Sequence, residues 1–208
     1  MTYFPDKVHD DAGAYATAYF ERLAQAARSV SPAAVAKAGE LLWRAVSDGA
    51  RIYACGNGGS AAIANHLACD CLKGVRTNSL VKPKVYSLSA AVEIVTAIAN
   101  DIGVEDIFAY QLASLGVAGD VLIAISSSGA SPSIVKAVDI AKAKGMVTIA
   151  MTGFDGGAAA ENADVNLHVA SENYGLVEDT HQSLMHILAQ FLRQAHIEDV
   201  ELMGKVKF

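Results

Sequence analysis

Apolar positions recur along residues 10–28 with helical spacing: Tyr15, Ala16, Tyr19, Phe20, Leu23 and Ala27 fall on one side. Ser31-Pro32 then starts a second helix, with Ser as N-cap and Pro at the first helical position, and Asp48-Gly49 stops it. Its apolar face is Val35, Ala38, Leu41, Leu42, Ala45 and Val46. Beyond it the pattern changes to short apolar runs separated by helical stretches. The runs predict strands over 51–55, 84–88, 120–125, 146–151 and 165–169. Helices are predicted over 60–72, 90–99, 105–115, 131–144 and 177–196, with turns at 100–103 and 155–157. Strands that are apolar throughout, alternating with helices, indicate an α/β doubly wound parallel sheet covered on both faces. The two alanine-rich N-terminal helices are expected to pack on the sheet layer or on another subunit.

Two loops follow strands and open helices: Gly56-Asn57-Gly58-Gly59-Ser60, and Ser126-Ser127-Ser128-Gly129-Ala130-Ser131. A Gly/Ser-rich strand–loop–helix junction binds anions. Glycine lets the backbone approach, free N–H groups at the helix start point outward, and hydroxyls add donors. Both loops lie at carboxyl ends of predicted strands, where open α/β sheets bind ligands. Neither is a G-x-G-x-x-G or a G-x-x-x-x-G-K-[ST] sequence, and no acidic residue ends the next strand, so no nucleotide cofactor is expected. Ser126, Ser128 and Ser131 can each turn a hydroxyl toward a phosphate.

The chain of 208 residues, 52% apolar, suits one sizeable core. Its net charge of −6 argues against nucleic acid as a partner, because phosphate backbones need clustered Lys and Arg. No apolar run reaches the roughly 20 residues of a membrane span. The first ten residues, with Pro5, Asp6, Lys7, His9 and Asp10, do not resemble a signal peptide, and a cytoplasmic protein is expected. Cys55, Cys69 and Cys71 are read as buried free thiols rather than disulfides or a zinc knuckle.

Gly56 to Ser60, Asn100-Asp101 before a helix, Ser126 to Ser131 and the segment Asn173-Tyr174-Gly175 through His186 together resemble the sugar isomerase (SIS) domain family, specifically its phosphoheptose isomerase branch. The resemblance spans nearly the whole chain. It implies a three-layer, five-stranded parallel sheet, and a single domain over 1–208: a helical extension (1–48), an α/β core (49–197) and a tail (198–208). It also implies a homotetramer with active sites at subunit interfaces. By the same resemblance the serine loop (Ser126, Ser127, Ser128, Ser131) binds the sugar phosphate. Asn57, Gly58 and Ser60 contact substrate, and Asp101 lies near the sugar hydroxyls. The catalytic pair falls on Asp70 and His186, and the implied reaction is conversion of sedoheptulose 7-phosphate to D-glycero-D-manno-heptose 7-phosphate.

The chemistry suits that pair. Aldose–ketose isomerisation through an enediol needs a base for a carbon-bound proton and an acid for the neighbouring oxygen. Carboxylate and imidazole serve both near neutrality. His66 and Asp70 stand at i and i+4 on one helix, and Glu178 and His186 two turns apart on another. These four are expected to converge and to form a divalent-metal site, zinc by donor type and by resemblance. His181 and His196 are read as ordinary core or surface histidines. The chain departs from the family's pattern in three places: Asp70 for the usual Glu, Ala61 after the loop serine, and Glu178 where many members have Gln. The competing readings are a phosphosugar-binding regulatory module without catalysis, and an isomerase of another phosphosugar.

Overall fold

A computed structural model describes residues 3–197 and 199–205. Met1, Thr2, residue 198 and residues 206–208, the last four within the expected tail, lie outside the described residues.

Helix α1 spans Ala12–Ser29, with the Asp11 carboxylate accepting from the Ala14 N–H at 2.8 Å. Helix α2 spans Pro32–Ser47 behind its Ser31 cap. The remaining order is β1 (Arg51–Gly56), α3 (Gly59–Cys69), a π-helical turn (Asp70–Val75), β2 (Lys84–Ser87), α4 (Val92–Asp101), a 3-10 turn (Val104–Asp106), α5 (Ala109–Leu115), β3 (Val121–Ser126), α6 (Pro132–Ala143), β4 (Val147–Thr152), α7 (Gly157–Asn162), β5 (Val165–His168) and α8 (Tyr174–Ala195). A last 3-10 turn spans Val200–Leu202. All strand pairs are parallel, in the order β2-β1-β3-β4-β5.

The continuous apolar strands follow from burial on both faces. Successive side chains of a strand point to opposite sides. Along β3, Val121, Ile123 and Ile125 join the core beneath α1, α2, α3 and α8, while Leu122 and Ala124 join the core beneath α4, α5 and α6. A polar residue at any of these positions would lose its hydration on either face. In this strand order β1 sits between β2 and β3, so the connections leave β1 and β3 toward opposite faces and open a crevice at their carboxyl ends. Both Gly/Ser loops border that crevice.

Several boundaries differ from the sequence pattern. The helix expected over 60–72 ends at Cys69 and continues as the π turn, where Cys71, Gly74 and Val75 are buried. The wider π turn carries one more residue than an α turn, and such turns recur at functional sites. The turn expected at 100–103 starts late, since Asn100 and Asp101 are still the end of α4. The helix expected over 105–115 divides into a 3-10 turn and α5. Helix α7 was absent from the pattern; six residues with three alanines carry no amphipathic signal. Helix α8 begins at Tyr174, where the Asn173 side chain accepts from the Leu176 N–H at 3.0 Å.

Candidate active site

The crevice holds a cleft of about 260 Å³ lined by both loops, Ile125, Tyr174 and Glu178. Asn57, Gly58, Ser60, Ser126, Ser127, Ser128 and Ser131 all line it, as the sequence suggested. The loops are tied together and to their surroundings. Asn57 Nδ2 donates to Ser133 Oγ at 2.9 Å, and Ser89 both accepts from the Gly56 N–H (3.2 Å) and donates to the Gly56 carbonyl (2.8 Å). Sequence reasoning missed Ser89 and Ser133, because their role is to brace another loop and no local motif marks it.

Within the serine loop the hydroxyls divide their work. Ser126 Oγ accepts from the Gly129 N–H at 3.1 Å and Ser128 Oγ from the Ala130 N–H at 3.3 Å, which shapes the turn. Ser131 holds the N-cap position of α6 without a capping bond from its hydroxyl. Ser127 is buried and its hydroxyl has no partner. A buried donor left unmatched costs about 1–3 kcal/mol, and an anion seated in the loop would satisfy it. Gly58 and Gly129 take positive φ, +54° and +63°, which side chains of other residues adopt at a cost. A Cβ on Gly129 would also fall on the Gly156 carbonyl.

The second half of the site lies where α8 runs beside α3. Helix α8 presents Glu178, Gln182 and His186 at i, i+4 and i+8. The Glu178 carboxylate packs over Gly59, so tightly that a Cβ there would overlap it. Gln182 Nε2 lies 2.9 Å from His66 Nδ1 and 3.0 Å from His186 Nε2. Asp70 completes a closed ring, with Oδ2 2.9 Å from His186 Nδ1 and Oδ1 3.3 Å from His66 Nε2. The two imidazoles meet edge to face, 4.9 Å between centroids.

His66, Asp70 and His186 offer ligand atoms within 4.8 Å of one another. Two imidazoles and a carboxylate are a donor set that suits zinc. Glu178 is not in this group, contrary to the expected four-residue set. It stands two helical turns from His186, about 12 Å along the axis, and its carboxylate reaches into the loop cleft instead. Gln182, one turn from His186, occupies that place. The signal for it was its i+4 spacing to His186 on the same face. Asp101 is exposed at the end of α4, accepts from Asn100 Nδ2 at 2.7 Å and is not among the cleft residues.

The electrostatics separate the groups. Burial, reinforced by the neighbouring Asp179 charge, raises the Glu178 carboxyl above its ordinary value. His181, about a quarter-turn round α8 from that face, is fully buried and burial lowers it to about 4. Cys55 and Cys71 are buried thiols pushed up to about 12, whereas Cys69 is exposed, against the expectation that it is buried. A larger cleft, about 320 Å³, lies on the β4–β5 side between α1 and the loop after β5. Its Arg22 is already paired with Asp6 at 3.2 Å, and it contains none of the paired imidazole and carboxylate groups.

A family model described as the SIS domain matches residues 14–153. The phosphoheptose isomerases of Shewanella oneidensis and Shewanella baltica are each 38% identical over 160 residues, 76% of this chain and 81% of theirs. The chain belongs to the SIS domain family, in its phosphoheptose isomerase branch. The five-stranded SIS fold is shared with the phosphoheptose isomerase structure from Neisseria gonorrhoeae: TM-score 0.79 at 33% identity, covering 85% of this chain and 96% of that one. For the enzyme from Francisella tularensis the values are 0.80, 32%, 86% and 96%. The Vibrio vulnificus NanR protein complexed with ManNAc-6P has the same SIS fold at 18% identity, TM-score 0.64, covering 91% of this chain and 66% of that one. Among the described residues, no helix is long and apolar enough to cross a membrane.

Proposed function

We propose that this protein is an aldose–ketose isomerase that converts sedoheptulose 7-phosphate to D-glycero-D-manno-heptose 7-phosphate. The observation that carries the reading is the pairing of an anion cradle at the sheet's switch point with the Asp70–His186 contact beside it. The phosphate of the substrate takes the serine loop, where Ser127 has a hydroxyl to give and Ser128, Ser131 and the α6 N-terminus add donors. The reacting carbons of a seven-carbon sugar lie at the far end from the phosphate, which is why the proton-transfer groups belong outside the loop cleft. Asn57 and Ser60 orient the chain, and Asp101 is assigned to the sugar hydroxyls only in an assembly that brings it to a neighbouring cleft.

In this mechanism Asp70 takes the proton from the carbon next to the carbonyl. His186, oriented by its 2.9 Å contact with Asp70, moves the proton between the two oxygens as the enediol forms and collapses. His66, Asp70 and His186 would hold a divalent metal, zinc by donor chemistry; when bound it supplies Lewis-acid polarisation of the substrate oxygen. The expected setting is a cytoplasmic homotetramer with sites at subunit interfaces, and neither nucleic acid nor membrane is a partner.

The test is incubation with sedoheptulose 7-phosphate, with the aldose product followed by NMR. Turnover that is lost in Asp70→Asn and His186→Ala supports the assignment. Binding of the phosphosugar with no conversion, under several divalent metals, would favour the regulatory reading. One observation favours that alternative: His66, Asp70 and His186 are not among the residues lining the loop cleft. Conversion of a different phosphosugar at a higher rate would correct the substrate while leaving the chemistry.

A further inference from the structure

Three hydrogen bonds and one close contact among Asp70, His66, Gln182 and His186 fix where the imidazole protons sit. A neutral imidazole has one N–H and one bare nitrogen. The Gln182 amide nitrogen carries two hydrogens and faces a ring nitrogen of each histidine, 2.9 Å from His66 Nδ1 and 3.0 Å from His186 Nε2. Both of those nitrogens must therefore be bare. The protons then sit on His186 Nδ1, which donates to Asp70 Oδ2 at 2.9 Å, and on His66 Nε2, which faces Asp70 Oδ1 at 3.3 Å as a charge contact. The opposite assignment would set two bare nitrogens against carboxylate oxygens with no proton between them.

We infer that Gln182 is a positioning residue that selects the tautomers of His66 and His186, and that a half-turn of its amide adapts the ring to a cation. This second half rests on the reading of the cluster as a metal site. A cation beside Asp70 needs the lone pairs of His66 Nε2 and His186 Nδ1. Each imidazole then loses the proton on that nitrogen and gains one on the nitrogen facing Gln182, with water carrying the exchange. Both rings stay neutral and the ring releases no net proton. Gln182 must now accept two N–H groups rather than donate two, and its carbonyl oxygen, with two lone pairs, does so after a half-turn. Outer partners of this kind fix ligating histidines in metal sites, and their removal typically costs about 10–100-fold in affinity.

The test reads the tautomers and the affinity, neither of which depends on turnover. In chelator-treated protein, long-range proton–nitrogen spectra should show His66 protonated at Nε2 and His186 at Nδ1. Gln182→Met, nearly isosteric and unable to donate, should lose that pattern, and should bind zinc about 10–100-fold more weakly in competition with a chromophoric chelator. Gln182→Glu should keep wild-type zinc affinity within a few-fold, because a carboxylate accepts both N–H groups, while losing the metal-free tautomer pattern because it donates none. Thermal unfolding reports whether each variant folds; if Gln182→Met does not, Gln182→Leu, which likewise cannot donate, takes its place in both readouts. Unchanged tautomers in the variants would overturn the positioning role. Equal zinc affinity in Gln182→Met and wild type would overturn the half-turn. A wild-type protein that takes up no zinc would overturn the half-turn and the metal reading, while the metal-free spectra still decide the tautomer claim.

Discussion

Asp70 Oδ2 lies 2.9 Å from His186 Nδ1 and joins the end of α3 to the middle of α8 across 116 residues of chain. Asp70 is the more enclosed partner, with 15% of its side-chain surface exposed against 37% for His186. The carboxylate is thus oriented by two imidazoles, and each imidazole by the carboxylate. Proton transfer needs that mutual alignment before substrate arrives.

Asp70→Asn keeps the shape of the side chain and removes its basicity. Turnover should fall by about 100-fold or more, with KM for the phosphosugar changed little because the serine loop is untouched. Steady-state kinetics with the NMR product assay checks this. A large rise in KM at unchanged kcat would place Asp70 in binding instead.

Ser127→Ala removes a buried hydroxyl that has no partner in the free protein. Stability should be unchanged or rise by up to about 1 kcal/mol, since no hydrogen bond is lost and an unmatched donor disappears. Phosphosugar KM should rise about tenfold, the loss of one charge-assisted bond. Urea unfolding and kinetics on the same variant separate the two effects. A destabilised variant with normal KM would show the hydroxyl to be structural.

Gly129→Ala places a side chain at φ +63°, with its Cβ on the Gly156 carbonyl. The left-handed backbone alone costs about 1–2 kcal/mol, and the overlap adds to it. The variant should lose about 2 kcal/mol or more of stability and lose inorganic-phosphate binding measured by calorimetry. Full stability would mean that the α7 loop moves aside freely.

His181 couples folding to pH. Its Nε2 hydrogen-bonds the Thr152 carbonyl at 3.1 Å, its Nδ1 has no partner, and burial lowers it from 6.5 to about 4. The unfolded chain therefore takes up the proton first as pH falls. The contribution of the neutral ring is fully present above pH 6.5 and is lost as pH drops toward 4, at about 1.4 kcal/mol per pH unit, roughly 3 kcal/mol in all. Urea titrations at pH 7, 5.5 and 4 should show this loss, and His181→Gln should show a shallower one. Parallel slopes for the two proteins would remove His181 as the cause.

Much of this was legible in the chain because the signals are local. The five strands announced themselves as short apolar runs, since a strand covered on both faces has no polar positions. The caps Ser31-Pro32 and the two Gly/Ser loops marked helix starts through bonds made within a few residues. Helix α7 and the break after Cys69 were not legible: six small residues lack a face, and a π turn is set by which of Cys71, Gly74 and Val75 reaches the core. Asp101 was assigned by resemblance and Glu178 by its helical spacing to His186, and side-chain direction is not visible in a linear pattern.

By itself the sequence determined the α/β alternation, the two anion loops at strand ends and the i, i+4 pair His66 and Asp70, because spacing along one helix or strand dictates which side chains share a face. Only the tertiary structure decided what α8 lays against α3. Its pitch carries Glu178 to Gly59, Gln182 to His66 and His186 to Asp70, so one face of one helix serves both the loop cleft and the histidine cluster. The packing of two helices far apart in sequence sets that register, and the shared core beneath them fixes it.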